Sequence, residues 1–233
     1  MLPNNSIVNN VYLGSDGLVA HAKQNNTLID CSTVSPGVEE KISKTAIRHQ
    51  VNFLDAPVSG GVKGAAAGTL SFLVGGDPQV LETNKDLFQA MGKNIFHCGG
   101  SGSGQVAKIC NNLILGVSMV VLSEALHLGG RLGLDPKVLS AVINSSSGRS
   151  WSSETYNPVP GIMAGVPSSS EYAGGFATKL MVKDMMLALE EAQRCGAALP
   201  TGAIATEMYR TLAERMGQKD FSSVFLHIQS ISK

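Results

Sequence analysis

The sequence predicts an α/β half followed by an all-helical half. Three observations carry this. Short apolar runs alternate with helix-like segments as far as residue 98, the strand-like pattern then stops, and a glycine-rich stretch at 99–104 marks the change. The boundary is expected there, with residues 1–100 forming the α/β part and residues 101–233 the helical part.

Residues 27–31 (Thr-Leu-Ile-Asp-Cys) read as a short buried strand. Ser35-Pro36-Gly37 then opens a helix, with Ser35 placed to cap it, Pro36 at its first position and Glu39-Glu40 in its first turn. Residues 52–58 form a second strand and run into a glycine-rich loop. Residues 70–74 form a third, stopped by Gly75-Gly76. Asp77-Pro78 starts a helix reaching about residue 91, and 94–98 is the fourth strand. Beyond the glycines, helical periodicity covers 106–132, 136–144, 176–195 and 202–216. The Pro/Gly/Ser-rich stretch 148–175 reads as an irregular surface excursion.

Composition removes several classes of function. The 233 residues carry 18 Lys+Arg against 18 Asp+Glu, a formal net charge of zero. Such a chain has no general pull on phosphate backbones or anionic lipid, so neither a nucleic-acid partner nor a membrane is expected. With 43% hydrophobic and 15% charged residues the chain is globular, and with only 5% aromatics its core must come from Leu, Val, Ile, Ala and Met. Cys31, Cys98, Cys110 and Cys195 form no CxxC pair and no Cys/His cluster. They read as reduced, mostly buried thiols in a reducing compartment, with no metal site. Met1-Leu2-Pro3-Asn4-Asn5 shows neither the apolar run nor the Arg-rich pattern of a targeting segment. The most apolar stretch, 113–122, is shorter than the roughly 20 residues of a membrane span and reads as a buried helix.

Three patterns could carry chemistry. The first is Asp55-Ala56-Pro57-Val58-Ser59-Gly60-Gly61, extended by Gly64, Ala65 and Gly68. A strand ending in Ser-Gly-Gly frees backbone N–H groups to converge on an anion; a glycine loop serves equally as a flexible connection. The second runs from Gly99 through Gly102, Gly104, Gln105 and Lys108 to Asn112. On a helix Gln105, Lys108 and Asn112 fall within about a 60° wedge. A buried lysine there would suit proton transfer, because desolvation lowers its pKa toward neutrality; the alternative is a lysine snorkelling from a helix end. The third is Lys183-Asp184 inside an amphipathic helix, which by itself reads as a solvated charge pair.

Together these patterns resemble the β-hydroxyacid dehydrogenase family. The family's substrate motif, D-x-P-V-S-G-G-x-x-G-A-x-x-G-x-L, matches at every fixed position from Asp55 to Leu70. Its G-x-x-G-x-G-x-x-x-K-x-x-x-N motif matches at Gly99, Gly102, Gly104, Lys108 and Asn112, and its K-D pair at Lys183-Asp184. Thr33 is similar to a cofactor-side threonine, and Met1-Leu2-Pro3 to a loop at the end of the family's fourth strand. The family's cofactor-contacting asparagine, which follows that loop, has no matched position, since Asn4 and Asn5 come early and Ile7 takes its place.

The resemblance implies a fold and a reaction. The fold is an incomplete Rossmann-type sheet, the C-terminal half of a dinucleotide-binding domain, followed by an all-α substrate and dimerisation domain built on a long interdomain helix. The implied cofactor is NAD. The implied reaction takes a hydride from the hydroxyl-bearing carbon of a small 3-hydroxy acid, with Lys108 as the acid/base group and Asn112 positioning the hydroxyl or Lys108. Ser59, Gly60 and Gly61 would hold the substrate carboxylate, while Leu2, Pro3, Thr33 and Lys183 would line the cofactor side. The phrases at 146–153 and 219–225 favour the branch acting on 3-hydroxyisobutyrate in valine degradation, which implies the mitochondrial matrix and a homo-oligomer formed through the helical domain. Alternatives are a tartronate-semialdehyde or glyoxylate reductase of the same family, or a non-catalytic isoform acting by subunit association. The family's opening strand and G-x-G-x-x-G turn are not among these residues, so the chain reads as an N-terminally incomplete member with one sheet edge open.

Overall fold

A computed structural model describes residues 1–232. The chain opens with two helices that hydrophobic patterning did not suggest, α1 (Asn5–Leu13) and α2 (Leu18–His21). Their signal is local: Asn4 stands at the N-cap of α1 and its Oδ1 accepts the Ile7 N–H at 2.9 Å. Strand β1 (Thr27–Asp30), helix α3 (Pro36–Arg48) and strand β2 (Asn52–Asp55) follow, with β1 and β2 parallel from Thr27↔Asn52 to Asp30↔Asp55. Val38, Ile42 and Ala46 recur every four residues on one stripe of α3 and pack with Val8, Tyr12 and Phe53. Ser35 occupies the N-cap as expected, but its side chain makes no capping bond.

The strand expected at 52–58 is interrupted. Strand β2 ends at Asp55 and a short β3 (Val58–Ser59) follows, because Pro57 has no N–H to give the ladder. After α4 (Gly61–Ala66) comes β4 (Leu70–Gly76), antiparallel to both pieces. The register does not slip across the break: Leu54 pairs Gly76, Asp55 pairs Gly75, Val58 pairs Phe72 and Ser59 pairs Ser71. Within the gap the Leu73 N–H reaches the Pro57 carbonyl at 3.0 Å. The single helix expected at 78–91 is likewise two pieces, α5 (Pro78–Thr83) and α6 (Lys85–Gln89). Asn84 separates them, its Nδ2 donating to the Val80 carbonyl at 2.8 Å. Strand β5 (Gly92–Gly99) then pairs parallel with β4. The mixed sheet leaves β1 at an edge, paired only to β2 among the described residues.

The remaining helices are α7 (Ser103–Arg131), α8 (Pro136–Ser145), α9 (Trp151–Thr155), α10 (Thr178–Cys195), α11 (Pro200–Met216) and α12 (Val224–Ile231). The chain divides into two compact units, Met1–Cys110 and Asn111–Lys233, with the dividing point inside α7. The core of the second unit gathers Met119, Val120, Met181, Met185, Tyr209, Leu212, Phe221 and Val224. Methionine fills space that aromatics would otherwise take, as the composition anticipates. Helix α7 is by length and composition long enough to cross a membrane, unlike its apolar stretch taken alone. Met119, Val120, Leu122 and Leu126 are nevertheless buried in cores of the second unit, which makes it a core helix.

Two expectations are corrected. The stretch 148–175 is irregular over most of its length, as expected, but it is not a surface excursion: α9 lies in it, Asn157, Val159, Ser168 and Tyr172 are buried, Trp151 stacks on Tyr156, and Tyr156 stacks on Phe221. Buried Asp220 ties it down, accepting the Tyr156 hydroxyl at 2.9 Å and the Phe176 N–H at 2.7 Å. The thiols are free but not buried: Cys31 and Cys98 are partly covered, and Cys110 and Cys195 are exposed.

Candidate active site

The site is built first at the carboxyl end of β1. Asp30, buried, accepts the Ser32 N–H at 2.9 Å and its hydroxyl at 2.6 Å, and the Ser32 Oγ accepts the Leu2 N–H at 2.8 Å. This holds the Leu2-Pro3 segment against the loop carrying Thr33, itself only 7% exposed. Three of the four residues expected on the cofactor side therefore come together in the first unit. Asn5 joins them, its Oδ1 accepting the Ser35 N–H at 3.0 Å. Both early asparagines thus use their side-chain oxygen on structure, Asn4 as a cap and Asn5 as this tie.

Gln105 does not serve with Lys108 and Asn112. It is fully buried and uses both ends of its amide: Nε2 donates to the Ser32 carbonyl and to Glu39 Oε1, each at 2.8 Å, and Oε1 accepts the Val34 N–H at 3.1 Å. Its work is to bind the first turn of α7 to the loop after β1. Glu39, in the first turn of α3 as expected, is also fully buried. Burial, then the neighbouring Asp30 and Asp55 carboxylates, push its pKa from about 4.5 up to about 10. Held protonated, Glu39 can donate to the neighbouring Asp30 carboxylate; Glu39 Oε2 and Asp30 Oδ2 have no other partner among the described residues.

This acid has a pH signature. Folded Glu39 keeps a proton that the unfolded chain releases near pH 4.5, so its contribution to stability is full below that pH. It is lost progressively as pH rises toward 10. Glutamine copies the protonated acid in shape, accepting from Gln105 and donating to Asp30. Glu39→Gln should therefore match the parent near pH 5 and gain on it steadily toward pH 9, read by thermal unfolding at several pH values. Parallel stability curves for parent and variant would refute the assignment.

The Asp55 motif opens at the end of β2. Asp55 is fully buried, and its carboxylate accepts the Gly102 N–H at 2.7 Å and the Gln105 N–H at 3.3 Å, capping α7 from across the sheet. Burial pushes its pKa up, while the N–H groups of Gly102, Gln105 and Gly104 pull it down. The first residue of one family motif thus fixes the start of the other. This tie joins residues 47 positions apart, and no local pattern signals it. Downstream, Ser59 is half-buried at the end of β3, and Gly60 and Gly61 are exposed with φ of +133° and +61°. Only glycine takes both angles cheaply, which leaves the turn into α4 bare of side chains where an anion could approach.

Lys108 and Asn112 stand on successive turns of α7, 8% and 2% exposed. The lysine is buried on that stripe; it is not a snorkelling side chain. Asn112 donates from Nδ2 to Asp184 Oδ2 at 2.6 Å, and the Lys183 ammonium lies 3.1 Å from Asp184 Oδ1. Asp184 is 2% exposed, so the Lys183-Asp184 pair is largely buried and not the solvated pair its sequence context suggests. What the arrangement offers chemically is a buried lysine and a fixed amide one helical turn apart.

Comparison with known proteins decides the family. Residues 1–100 match the NAD binding domain of 6-phosphogluconate dehydrogenase, and residues 102–228 match the NAD-binding of NADP-dependent 3-hydroxyisobutyrate dehydrogenase. A probable mitochondrial 3-hydroxyisobutyrate dehydrogenase of Dictyostelium discoideum is 48% identical over 226 residues, which is 97% of this chain and 70% of that protein. The chain belongs to the β-hydroxyacid dehydrogenase family. Another relative, an NAD-dependent L-serine dehydrogenase of Pseudomonas aeruginosa, is 48% identical over 225 residues, 96% of this chain and 76% of its own. Among solved structures, the Mycobacterium tuberculosis 3-hydroxyisobutyrate dehydrogenase with L-serine matches with a TM-score of 0.93 at 39% identity, covering 98% of this chain and 78% of that one.

As a member of the family the chain is an NAD-dependent oxidoreductase of small hydroxy acids. The residues present suit that cofactor's nicotinamide end. The apolar Leu2-Pro3 segment lies beside a nearly buried threonine at the carboxyl end of a parallel strand, where open α/β sheets take their ligands.

Proposed function

We propose that the chain oxidises 3-hydroxyisobutyrate to methylmalonate semialdehyde with NAD, as a step of valine degradation in the mitochondrial matrix. The observation that carries this reading is Lys108, a lysine buried one turn from Asn112 within the family's own motif. The names of relatives such as the Dictyostelium protein support the substrate and the compartment. In this reading Ser59, Gly60 and Gly61 hold the substrate carboxylate with the hydroxyl and N–H groups of their turn. Asn112 fixes the substrate hydroxyl, and Lys108 takes its proton as the carbon loses hydride. Bound NAD supplies the hydride acceptor. Leu2, Pro3, Thr33 and Lys183 hold the nicotinamide side, with residues 1–100 as the C-terminal half of the dinucleotide-binding domain and 101–233 as the substrate and dimerisation domain.

A homo-oligomer formed through the helical part belongs to the same reading. Ile114, Val121 and Leu128 are exposed at seven-residue intervals along α7, a stripe suited to another apolar helix.

The names of the Pseudomonas relative and of the Mycobacterium structure favour a second reading, L-serine as substrate. Both molecules carry a carboxylate and a primary hydroxyl on three carbons; they differ at the middle carbon, by a methyl or an ammonium group. Contacts to carboxylate and hydroxyl are common to both, so the choice lies in what faces that carbon. Steady-state kinetics of the full-length enzyme on the two substrates separates the readings. We expect kcat/KM for 3-hydroxyisobutyrate to exceed that for L-serine by about 10-fold or more, the scale of one buried methyl against a desolvated charge. A preference for L-serine would replace the first reading with the second.

A further inference from the structure

We propose that Asp184 is a positioning residue. Its buried carboxylate sets the Asn112 amide with one oxygen and the Lys183 ammonium with the other, so that two working groups share one anion. The proposal rests on the roles given above to Asn112 and Lys183. Asp184 Oδ2 accepts Asn112 Nδ2 at 2.6 Å, a close contact between an amide N–H and a carboxylate oxygen. A carboxylate can only accept, so this contact decides which end of the amide is nitrogen. The other end is fixed as well, since Asn112 Oδ1 accepts Asn111 Nδ2 at 3.0 Å. The amide is held at both ends, with one N–H and one lone pair left to meet a ligand.

The carboxylate's second oxygen is paired by charge and not by an aligned hydrogen bond. Among the described residues Asp184 Oδ1 has no hydrogen-bond donor aligned on it, and Lys183 Nζ approaches to 3.1 Å off the hydrogen-bond direction. Each oxygen of this carboxylate, 2% exposed, thus faces one of the two groups, Asn112 through a hydrogen bond and Lys183 through charge. The backbone lets it come this close. A Cβ on Gly116, one turn beyond Asn112, would lie 2.6 Å from Met185 Sδ, so α7 and α10 approach each other through a glycine beside this contact.

The test uses Asp184→Asn, which keeps the shape and removes the charge, with Asp184→Ala beside it. In the full-length enzyme Asp184→Asn should lower kcat about 10-fold or more while unfolding stays close to the parent's. In an Asn112→Ala background the same change should cost kcat little further, because the amide it orients is gone. Losses that add in full, or an unchanged kcat, would overturn the proposal. A readout independent of turnover is the side-chain amide resonance of Asn112 in the ligand-free chain. It should shift and exchange faster with solvent in Asp184→Asn, and an unmoved resonance would also overturn the proposal. If Asn112→Ala alone leaves kcat intact, the reading of Asn112 fails, whereas the resonance still reports whether Asp184 holds it.

Discussion

Lys108→Ala should lower kcat of the full-length enzyme by about 10²–10⁴-fold, the range expected when a positioned acid/base group is removed. The stability of the protein should not fall with it. Lys108 is 8% exposed on a helix stripe, and alanine has the better helix propensity there, which offsets part of the packing lost with the side chain. A fall in turnover without a fall in unfolding temperature separates chemistry from scaffolding. Lys108→Arg sharpens the point. It keeps a positive charge and a long stem, but a guanidinium cannot give up its proton in this pH range and cannot take one from the substrate hydroxyl. Arginine should therefore be nearly as inactive as alanine. If arginine restores most of the rate, Lys108 acts as a fixed charge; if alanine itself is unimpaired, the proton goes elsewhere.

Much of this site is legible in the sequence because its signals are local. Strand, helix and glycine patterns place β1, α3, β4, β5 and α7 within a few residues of their observed ends. The spacing of Lys108 and Asn112 alone puts them on one helical stripe. What the sequence does not show is which polar residue answers which. Gln105 sits on the same stripe and reads as equal to Lys108, yet its partners Ser32, Val34 and Glu39 lie far back in the chain. Glu39 reads only as an acid in a first helical turn, and the packing of α3 buries it beside two other carboxyls. Lys183-Asp184 fails in the same way: two adjacent charges look solvated until Asn112 is found bonded to one of them. Short helices escape for another reason. Helices α1 and α12 lie outside the stretches read as periodic, and α1 is signalled by the Asn4 cap.

Gly104→Ala should destabilise the first unit by about 3 kcal/mol, as overpacking and the loss of a buried charge-assisted hydrogen bond combine. A Cβ at this position would overlap the Leu73 carbonyl oxygen and lie 2.8 Å from Asp55 Oδ2 and 3.1 Å from the Gly75 N. None of these neighbours can yield cheaply. Leu73 is held in β4, paired to Phe96 of β5, and the Asp55 carboxylate is already committed to the N–H groups of Gly102 and Gln105. To admit a methyl group, either the start of α7 moves off the sheet or Asp55 loses its donors and is left buried and uncompensated. The second outcome would also displace Lys108, one turn further along. At roughly 2–4 °C per kcal/mol for a chain of this size, the unfolding temperature should drop by about 6–12 °C. Gly130 provides the control on the same helix. A methyl group added there would meet nothing within 4 Å, and its φ is not positive, so Gly130→Ala should raise stability by about 0.5–1 kcal/mol. Opposite signs for two glycines of one helix would show that Gly104 is there for close approach and not for flexibility. Equal stability of the two variants would mean that the clasp between Asp55 and α7 is not what holds the lysine in place.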